Sequence, residues 1–337
     1  MGANSKASDL GKCCAYGHVS DGQAYLVDGL FPEVQHIPLA VGQDAASLIA
    51  QIEPDVRWFA WHLFVTYKAG IPRGREALAA AFRERGILSI NEGVLDGSKR
   101  HTQSLLSRLG LPVAEAAAEG DPEEMLFFKS NYNFGGVAER RLSEEVRDYF
   151  GVGLPHRSTP LFRDYNAYPR KRIKPKAFEI EDIFIERFVS NKQHVFFRAF
   201  VAFDAVVLSR VVNKEVIKKA AHGERRDDYF FSFEEAAAGF PSAPDDLVRR
   251  IMSDLHCFCR AFKLDMGGVD VLLDDQGTPY IVDANPTAYG GENLERPGIR
   301  QHLVDGLLQH AQKTPSPAAG RRPAGPLPQT LPTTSSR

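Results

Sequence analysis

A predicted hairpin near the end of the chain constrains the fold and the chemistry more than any other segment. Two apolar runs flank the turn signal Gln276-Gly277, an arrangement typical of two antiparallel strands. If Gln276 and Gly277 form a two-residue loop, Asp270 lies directly opposite Asp283. Asn285 then lies on the same face, because side chains alternate along a strand. Carboxylates that face each other across a sheet repel, so this pairing predicts a cation between them.

The side chains of this hairpin indicate which cation it holds. Two carboxylates and an amide supply three oxygen ligands, with no imidazole or thiolate among them, and such a set suits Mg²⁺ or Mn²⁺. Mg²⁺ usually keeps positions open for phosphate oxygens, so the hairpin is a first indication of nucleotide chemistry. On the opposite face, the same register pairs Val271 with Val282 and Val269 with Ala284. That face is apolar and suits a core.

The composition fits a globular enzyme and argues against other classes. The 337 residues predict two or three domains, and 43% of them are hydrophobic and 25% charged. A net charge of −2 argues against a general nucleic-acid or membrane-surface binder. No apolar run approaches the ~20 residues of a membrane span. The N-terminus lacks a secretory apolar core, so we expect a cytoplasmic protein. The four cysteines show neither a disulfide framework nor a zinc spacing, and Cys257 and Cys259 lie in a predicted helix.

Strand and helix patterns alternate in the first part of the chain. Strand candidates at 35–39, 56–61 and 87–90 alternate with helix candidates at 45–52 and 73–85, which predicts a parallel sheet covered on both faces. Antiparallel strands, a helix at 245–262 and a last helix within 294–312 follow. A Pro-rich tail ends the chain, and we expect it to be disordered because it cannot bury enough apolar surface.

Cationic residues stand at particular points of this pattern. Lys99 begins a polar helix, and Lys129 ends a strand that leads into a polar, glycine-ended loop. Arg198 lies in a strongly apolar strand between Phe197 and Phe200. A buried arginine without a partner is costly, so Arg198 requires an acidic neighbour or an anionic ligand. The basic run at 170–176 is predicted to be a solvated loop.

The order of these parts resembles the ATP-grasp superfamily, which includes D-alanine–D-alanine ligase, glutathione synthetase and the ribosomal-protein glutamate ligases. The resemblance covers roughly residues 12 to 312 and is strongest from Gly268 to Asn285. It implies an α/β (α+β) fold, with a Rossmann-like pre-ATP-grasp domain followed by two α+β subdomains that enclose ATP. The implied segments are an N-terminal domain (1–95), a small lid subdomain (96–190), a large subdomain with the metal site (191–312) and the disordered tail (313–337).

The resemblance also assigns roles to individual residues. The catalytic residues would be Arg198, Lys129 and Arg210, with Arg198 facing the γ-phosphate. The ligands of one or two Mg²⁺ or Mn²⁺ ions would be Asp270, Asp283 and Asn285. The contacts with ATP are assigned to Lys99, Lys129, Gly135, Gly136, Glu186, Arg187, Phe188, Val189 and Lys214. Within that set Lys99 and Lys129 would bind phosphates, and Lys214, like Arg210, would contact phosphate or substrate. The two glycines would form a lid, the backbone of Arg187–Val189 would bind the adenine edge, and Glu186 would lie near the base or ribose.

The implied reaction is an ATP-dependent ligation. A substrate carboxylate would attack the γ-phosphate to give an acyl-phosphate and ADP, and an amine would then displace phosphate to form an amide. Both substrates would be small molecules or peptides, with no nucleic-acid or membrane partner, and dimers are frequent in similar enzymes. Two alternatives remain open: a small-molecule kinase on the same fold and a non-catalytic nucleotide-binding module. The chain departs from the family at Asp283-x-Asn285, where Glu-x-Asn is usual, and in the glycine spacing after Lys129.

Overall fold

The computed structural model describes residues 7–17, 25–63, 65, 74–161, 165–215 and 223–314. These residues form three β-sheets of four, three and five strands. The first sheet is parallel and the other two are antiparallel. The predicted α/β class is therefore confirmed, whereas the Rossmann-like character of the first sheet and the segment boundaries stay predictions. The expected disorder of residues 313–337 lies outside the described residues, except that Lys313 ends the last helix and Thr314 follows it.

The parallel sheet has the strand order β2-β1-β3-β4. Its strands are β1 (Lys12–Tyr16), β2 (Val34–Ile37), β3 (Val56–Ala60) and β4 (Leu88–Ile90), and its helices are α1 (Leu26–Leu30), α2 (Ala45–Gln51) and α3 (Arg75–Arg85). The sequence patterns missed β1 and α1. β1 is central, and its Cys13 and Cys14 are fully buried. A short strand buried on both faces shows no alternation, which removes the signal that identifies strands.

The three-stranded sheet has the order β6-β5-β7. The elements of this part are α4 (Lys99–Arg108), β5 (Met125–Ser130), a 3₁₀ turn (Asn133–Gly136), α5 (Val137–Arg141), α6 (Glu144–Phe150), β6 (Asn166–Pro169), a second 3₁₀ turn (Arg170–Arg172), α7 (Lys176–Glu179) and β7 (Ile183–Arg187). The prediction of a solvated basic loop at 170–176 is wrong for its first residue. Arg170 is buried and pairs with Glu124, because β6 brings it against the start of β5.

The five-stranded sheet has the order β10-β9-β8-β11-β12. Its elements are β8 (Val195–Ala202), β9 (Ala205–Val212), β10 (Glu224–Ser232), a 3₁₀ turn (Phe233–Ala238), α8 (Asp246–Phe262), β11 (Met266–Leu273), β12 (Pro279–Asn285), a 3₁₀ turn (Gly291–Glu295) and α9 (Ile299–Lys313). Both predicted helices are confirmed, and Cys257 and Cys259 lie in α8 as expected. No helix in the described ranges combines the length and the apolar character needed to cross a membrane.

The two faces of this large sheet have different neighbours. One face, which includes Phe197 and Leu208, packs against Leu255 of α8 in a single apolar core. On the other face, the apolar half around Phe200 packs against α9 and the parallel sheet. Arg198 lies on this second face of β8, between the apolar residues Phe196 and Phe200. The candidate site is built around this side chain.

The hairpin of β11 and β12 confirms the predicted pairing of Asp270 with Asp283 but not its predicted turn. Asp274 N–H donates to Thr278 O at 3.0 Å, so the loop has three residues rather than two. The register then shifts between Asp270 and the next residue, which makes Val282 the extra residue of a β-bulge. The predicted Val271–Val282 pair is consequently wrong. The longer loop and the bulge offset each other, so the carboxylates still face one another.

One asparagine ties the parallel sheet to the large sheet. Asn91, directly after β4, has a left-handed backbone (φ 61°). Its side chain donates to Met266 O at 2.7 Å and Pro286 O at 3.2 Å, and its Oδ1 accepts from Asp265 N–H and Met266 N–H. Asn91 N–H in turn donates to Asp265 Oδ2 at 2.6 Å. This cluster holds the start of β11 next to Pro286, the residue after β12, and so fixes the open end of the hairpin.

The carboxyl group of Asp265 makes this cluster pH-dependent. Burial raises the pKa of Asp265 from 3.8 to about 6, and the hydrogen bond from Asn91 opposes the rise. A raised folded-state pKa means that the stabilisation is complete below pH ~4 and is lost as the pH rises through ~6. We expect wild type to lose at most about 3 kcal/mol of unfolding free energy between pH 4 and 7 relative to Asp265→Asn. Urea unfolding at four pH values measures this difference, and parallel profiles would contradict it.

Candidate active site

The centre of the site is a row of side chains on three adjacent strands. Across the sheet, Arg198 on β8 pairs with Asp270 on β11, which in turn pairs with Asp283 on β12. Arg198 Nη1 lies 2.8 Å from Asp270 Oδ2. Burial raises the pKa of Asp270, and the charge of Arg198 opposes the rise. The acidic neighbour that the sequence required for Arg198 is therefore Asp270.

Lys99 approaches Asp283 from helix α4. Ser98 caps this helix by accepting from His101 N–H at 3.1 Å, and Gln103 donates to Ile281 O of β12 at 3.0 Å. These contacts place the first turn of α4 beside the hairpin. Lys99 Nζ then lies 3.7 Å from Asp283 Oδ1, and its side chain is 8% exposed. A lysine that reads as an exposed helix-start residue is thus held inside the site.

Lys129 approaches the same strand from the three-stranded sheet. Its Nζ donates to Val282 O at 3.3 Å and lies 2.8 Å from Glu186 Oε2 on β7. Both side chains are 6% exposed. Burial raises the pKa of Glu186, and the charge of Lys129 opposes the rise. Glu186 is therefore the counter-ion of Lys129, a contact that the sequence did not indicate.

Three cation–carboxylate pairs thus meet at one hairpin, and their formal charges cancel. A triphosphate adds about four negative charges at neutral pH, so its binding here requires further cations. Asp270 Oδ1 and Asp283 Oδ2 are not engaged in the ion pairs, and Asn285 contributes an amide oxygen on the same face. Hard oxygen donors of this kind would suit Mg²⁺, which would supply positive charge for the phosphates. No group of three or more His, Cys, Asp or Glu side chains suited to a metal occurs among the described residues, so the fit rests on the amide as third donor.

The loop after β5 is attached to the end of the hairpin. Asn133 Nδ2 lies 3.4 Å from Asn285 Oδ1 and 3.3 Å from Thr287 Oγ1. Thr287 N–H and Oγ1–H both donate to Asn285 Oδ1 at 2.9 Å. These contacts orient the amide of Asn285, and its Oδ1 would have to release one of these hydrogen bonds to bind a metal ion. Neither Asn133 nor Thr287 was singled out from the sequence, where single polar residues in turns carry no signal.

The two predicted lid glycines lie in the same loop. Gly135 and Gly136 are buried, with φ values of 69° and 75°. A Cβ on Gly136 would lie 2.7 Å from Pro155 Cγ, so both the backbone conformation and the space require glycine there. Phe134 beside them is 47% exposed. The glycines therefore form a buried turn next to the site, and their role as a moving lid stays a prediction.

The segment predicted to bind adenine follows β7. Arg187 N–H donates to Ala114 O at 2.7 Å and Phe188 N–H donates to Met125 O at 2.9 Å, so both amides are already engaged. Phe188 presents an exposed ring. Any hydrogen bond from this segment to a base would have to use Val189 N–H or the carbonyl oxygens.

Two predicted site residues lie away from this centre. Arg210 pairs across the sheet with Phe197, so it lies on the opposite face from Arg198. Its ion pair is with Asp227 at 3.6 Å. Lys214 is exposed beyond the end of β9. The assignment of Arg210 as catalytic does not fit this geometry, because alternation along β9 turns it to the face of the helix α8.

Tyr165 is a further residue that the sequence did not indicate. Burial raises the pKa of Tyr165, while the charge of Lys129 and hydrogen bonding with Ser130 oppose the rise. Its ring meets Phe127 edge-on, with centroids 6.1 Å apart. Tyr165 is thus close enough to Lys129 to sense its charge, although its stretch of sequence suggested only a loop.

Solved structures resemble this chain, whereas no family model and no curated protein matches it. The ATP-grasp ligase PsnB, complexed with a minimal precursor, is 14% identical, with 88% of this chain and 98% of that chain covered and a TM-score of 0.49. D-Alanine–D-alanine ligase from Bacillus anthracis, complexed with ATP, is 13% identical, with 90% and 97% covered and a TM-score of 0.49. The macrocyclase MdnC from Microcystis aeruginosa, bound with the precursor peptide MdnA, is 9% identical, with 88% and 99% covered and a TM-score of 0.47. At these identities and TM-scores the likeness assigns no activity to this chain.

Proposed function

We propose that this protein is an ATP-grasp enzyme that activates a carboxylate with ATP and joins it to an amine. The observation that carries the proposal is the facing pair Asp270–Asp283, to which Arg198 and Lys99 bring cations from two other elements. A structural ion pair needs one cation and one carboxylate. Here two carboxylates face each other, and cations from two separate elements converge on them. It matches the needs of phosphoryl transfer, which depends on positioning and on stabilising charge over the phosphate oxygens.

Mg²⁺ bound at Asp270, Asp283 and Asn285 would supply positive charge to the phosphate oxygens. Arg198 binds the γ-phosphoryl group through its planar fork, which can hold two oxygens at once. Its pair with Asp270 keeps the guanidinium on the side of the hairpin where the metal ligands lie. Arg198 therefore stabilises the charge on the transferring group, and afterwards the charge on the acyl-phosphate.

The two lysines bind the other phosphates from the side facing the three-stranded sheet. Lys129 is held between Glu186 and Val282 O, so its ammonium group has a defined position before ATP binds. Lys99 is held in the same way by Tyr132 O at 3.0 Å. Because both ammonium groups are already in position, little reorganisation energy is needed when the nucleotide binds, which favours the transition state. The base extends toward Phe188 and Val189.

The second half of the reaction requires that water be kept from the acyl-phosphate. The turn at Gly135 and Gly136 is joined to the hairpin through Asn133, and as a lid it would keep water from the site. An amine that enters beside Arg198 displaces phosphate and forms the amide bond, with phosphate as the leaving group. The carboxylate and the amine belong to small molecules or peptides.

The test is product analysis with purified protein, ATP, Mg²⁺ and a panel of carboxylic acids, each with and without amines. We expect ADP release that requires a carboxylate, together with a new amide and free phosphate. A stable phosphoester on a hydroxyl substrate would instead indicate a kinase. Nucleotide binding without turnover across the panel would favour a non-catalytic module. A protein that Mg²⁺–ATP does not stabilise thermally would contradict the proposal as a whole.

A further inference from the structure

We propose that Gly268 is a positioning residue, because the space left by its missing side chain is where the Arg198 guanidinium lies. The inference rests on the proposed function, since it concerns the arginine assigned to the γ-phosphate. Gly268 pairs with Phe200 across β8, and Asp270 pairs with Arg198. Gly268 is therefore two residues from Asp270 on the same face of β11, and it is the diagonal neighbour of Arg198.

The distances show how completely Arg198 uses this space. A Cβ added to Gly268 would lie 2.6 Å from Arg198 Nη2, 2.8 Å from Cζ and 3.0 Å from Nε. These three atoms belong to the guanidinium plane, so the whole group lies over the backbone of Gly268. A heavy-atom contact under 3.0 Å is not tolerated by a real Cβ, and any side chain at position 268 would have to displace the guanidinium.

The other sides of this space are also occupied by groups that hold a guanidinium. Arg198 Cζ lies 5.4 Å from the centroid of the Phe200 ring, a cation–π distance. Asp270 Oδ2 lies 2.8 Å from Nη1. Asn285 pairs with Gly268 across β12, so the arginine lies next to a second candidate metal ligand. The guanidinium is thus bounded by an aromatic ring, a carboxylate and the backbone of Gly268.

No other property of Gly268 calls for glycine. It is not among the glycines with positive φ, and its strand backbone is one that any residue can adopt. A glycine inside a strand weakens the strand and often marks the close approach of another group. Gly267 has a different reason, since its Cβ would meet Asn285 O at 2.5 Å. The close approach at Gly268 is that of Arg198.

The test compares the affinities for two nucleotides, so it requires no knowledge of the acceptor. Calorimetric titration with Mg²⁺–AMPPNP and Mg²⁺–ADP gives the preference for a γ-phosphate. We expect Arg198→Ala to reduce that preference by about 10–100-fold, the value of a charge-assisted contact. Gly268→Ala should reduce it by at least about fivefold, because a displaced guanidinium loses its alignment. Added to Arg198→Ala, Gly268→Ala should change the preference by less than about twofold, since there is no guanidinium left to displace.

Gly153→Ala is the matched control, because a Cβ at that position meets no atom within 4 Å. It should keep the wild-type preference. If Gly268→Ala lowers the unfolding temperature, it should do so only when Arg198 is present. The double variant should therefore unfold at no lower a temperature than Arg198→Ala alone, which tests the same contact by thermal stability. The inference is overturned if Gly268→Ala keeps the wild-type preference, if its effect is equal in both backgrounds, or if wild type binds both nucleotides equally. Failure of wild type to bind either nucleotide would overturn the proposed function itself.

Discussion

Replacing Asp283 with asparagine is expected to reduce Mg²⁺-dependent ADP release by about 10²–10³-fold without unfolding the protein. The substitution keeps the size of the side chain but removes one of two facing carboxylates. It also removes the counter-charge of Lys99, which lies 3.7 Å away. We expect the Mg²⁺ concentration for half-maximal rate to rise by at least about tenfold, because one charged ligand is lost. Steady-state ADP release as a function of Mg²⁺ measures both effects.

A surface aspartate provides the control for this change. The side chain of Asp246, at the start of α8, is 96% exposed and pairs only with Arg249 among the ion pairs of the described residues. Asp246→Asn should keep the wild-type rate and Mg²⁺ dependence. If Asp283→Asn behaves in the same way, the hairpin does not hold the metal ion and the proposed chemistry has no site.

Replacing Lys129 with methionine is expected to lower the free energy of unfolding by about 3–5 kcal/mol. The reason is that the Glu186 side chain, which is 6% exposed, would remain buried without its counter-ion. The same change should abolish measurable binding of Mg²⁺–ATP, because a phosphate contact is lost. Urea unfolding and nucleotide-induced thermal stabilisation measure the two consequences separately.

The double variant Lys129→Met/Glu186→Gln separates stability from binding. We expect it to recover most of the lost stability, because no unpaired charge remains buried, but not to recover nucleotide binding. The single variant should also be pH-dependent. Burial raises the pKa of Glu186, so the protonated form is favoured in the folded state, and stability is retained at acid pH and lost as the pH rises. A Lys129→Met defect of equal size at pH 5 and pH 8 would show that Glu186 is not the cause.

The hairpin of β11 and β12 shows what the local sequence pattern could predict. Alternation of apolar and polar residues in β11 and β12 was sufficient to predict that Asp270 faces Asp283. The loop has one more residue than predicted, and the bulge at Val282 restores the pairing. Burial of one apolar face determines the register more strongly than the turn does, since a one-residue slip would move every apolar side chain to the other face.

Strands without alternation were missed for an equally physical reason. β1 is buried on both faces, and β10 begins with the charged run Glu224–Asp228 at the edge of the large sheet. An edge strand with charged residues resembles a loop in sequence. The catalytic role expected for Arg210 does not fit for a related reason. The sheet face on which a side chain of β9 lies depends on the register of β9 with β8.

The sequence by itself determined which chemical groups are available and in what order: the two carboxylates and the amide of one hairpin, a lysine at a strand end, a lysine at a helix start and an arginine in an apolar strand. Only the tertiary structure decided their partners. Three contacts illustrate this: Lys129 with Glu186, Lys99 with Asp283, and the Arg198 guanidinium with the backbone of Gly268. Each joins residues that are 57 to 184 positions apart in the sequence. Periodicity reports the faces of one element, whereas contacts between elements depend on how those faces pack, which no local pattern records.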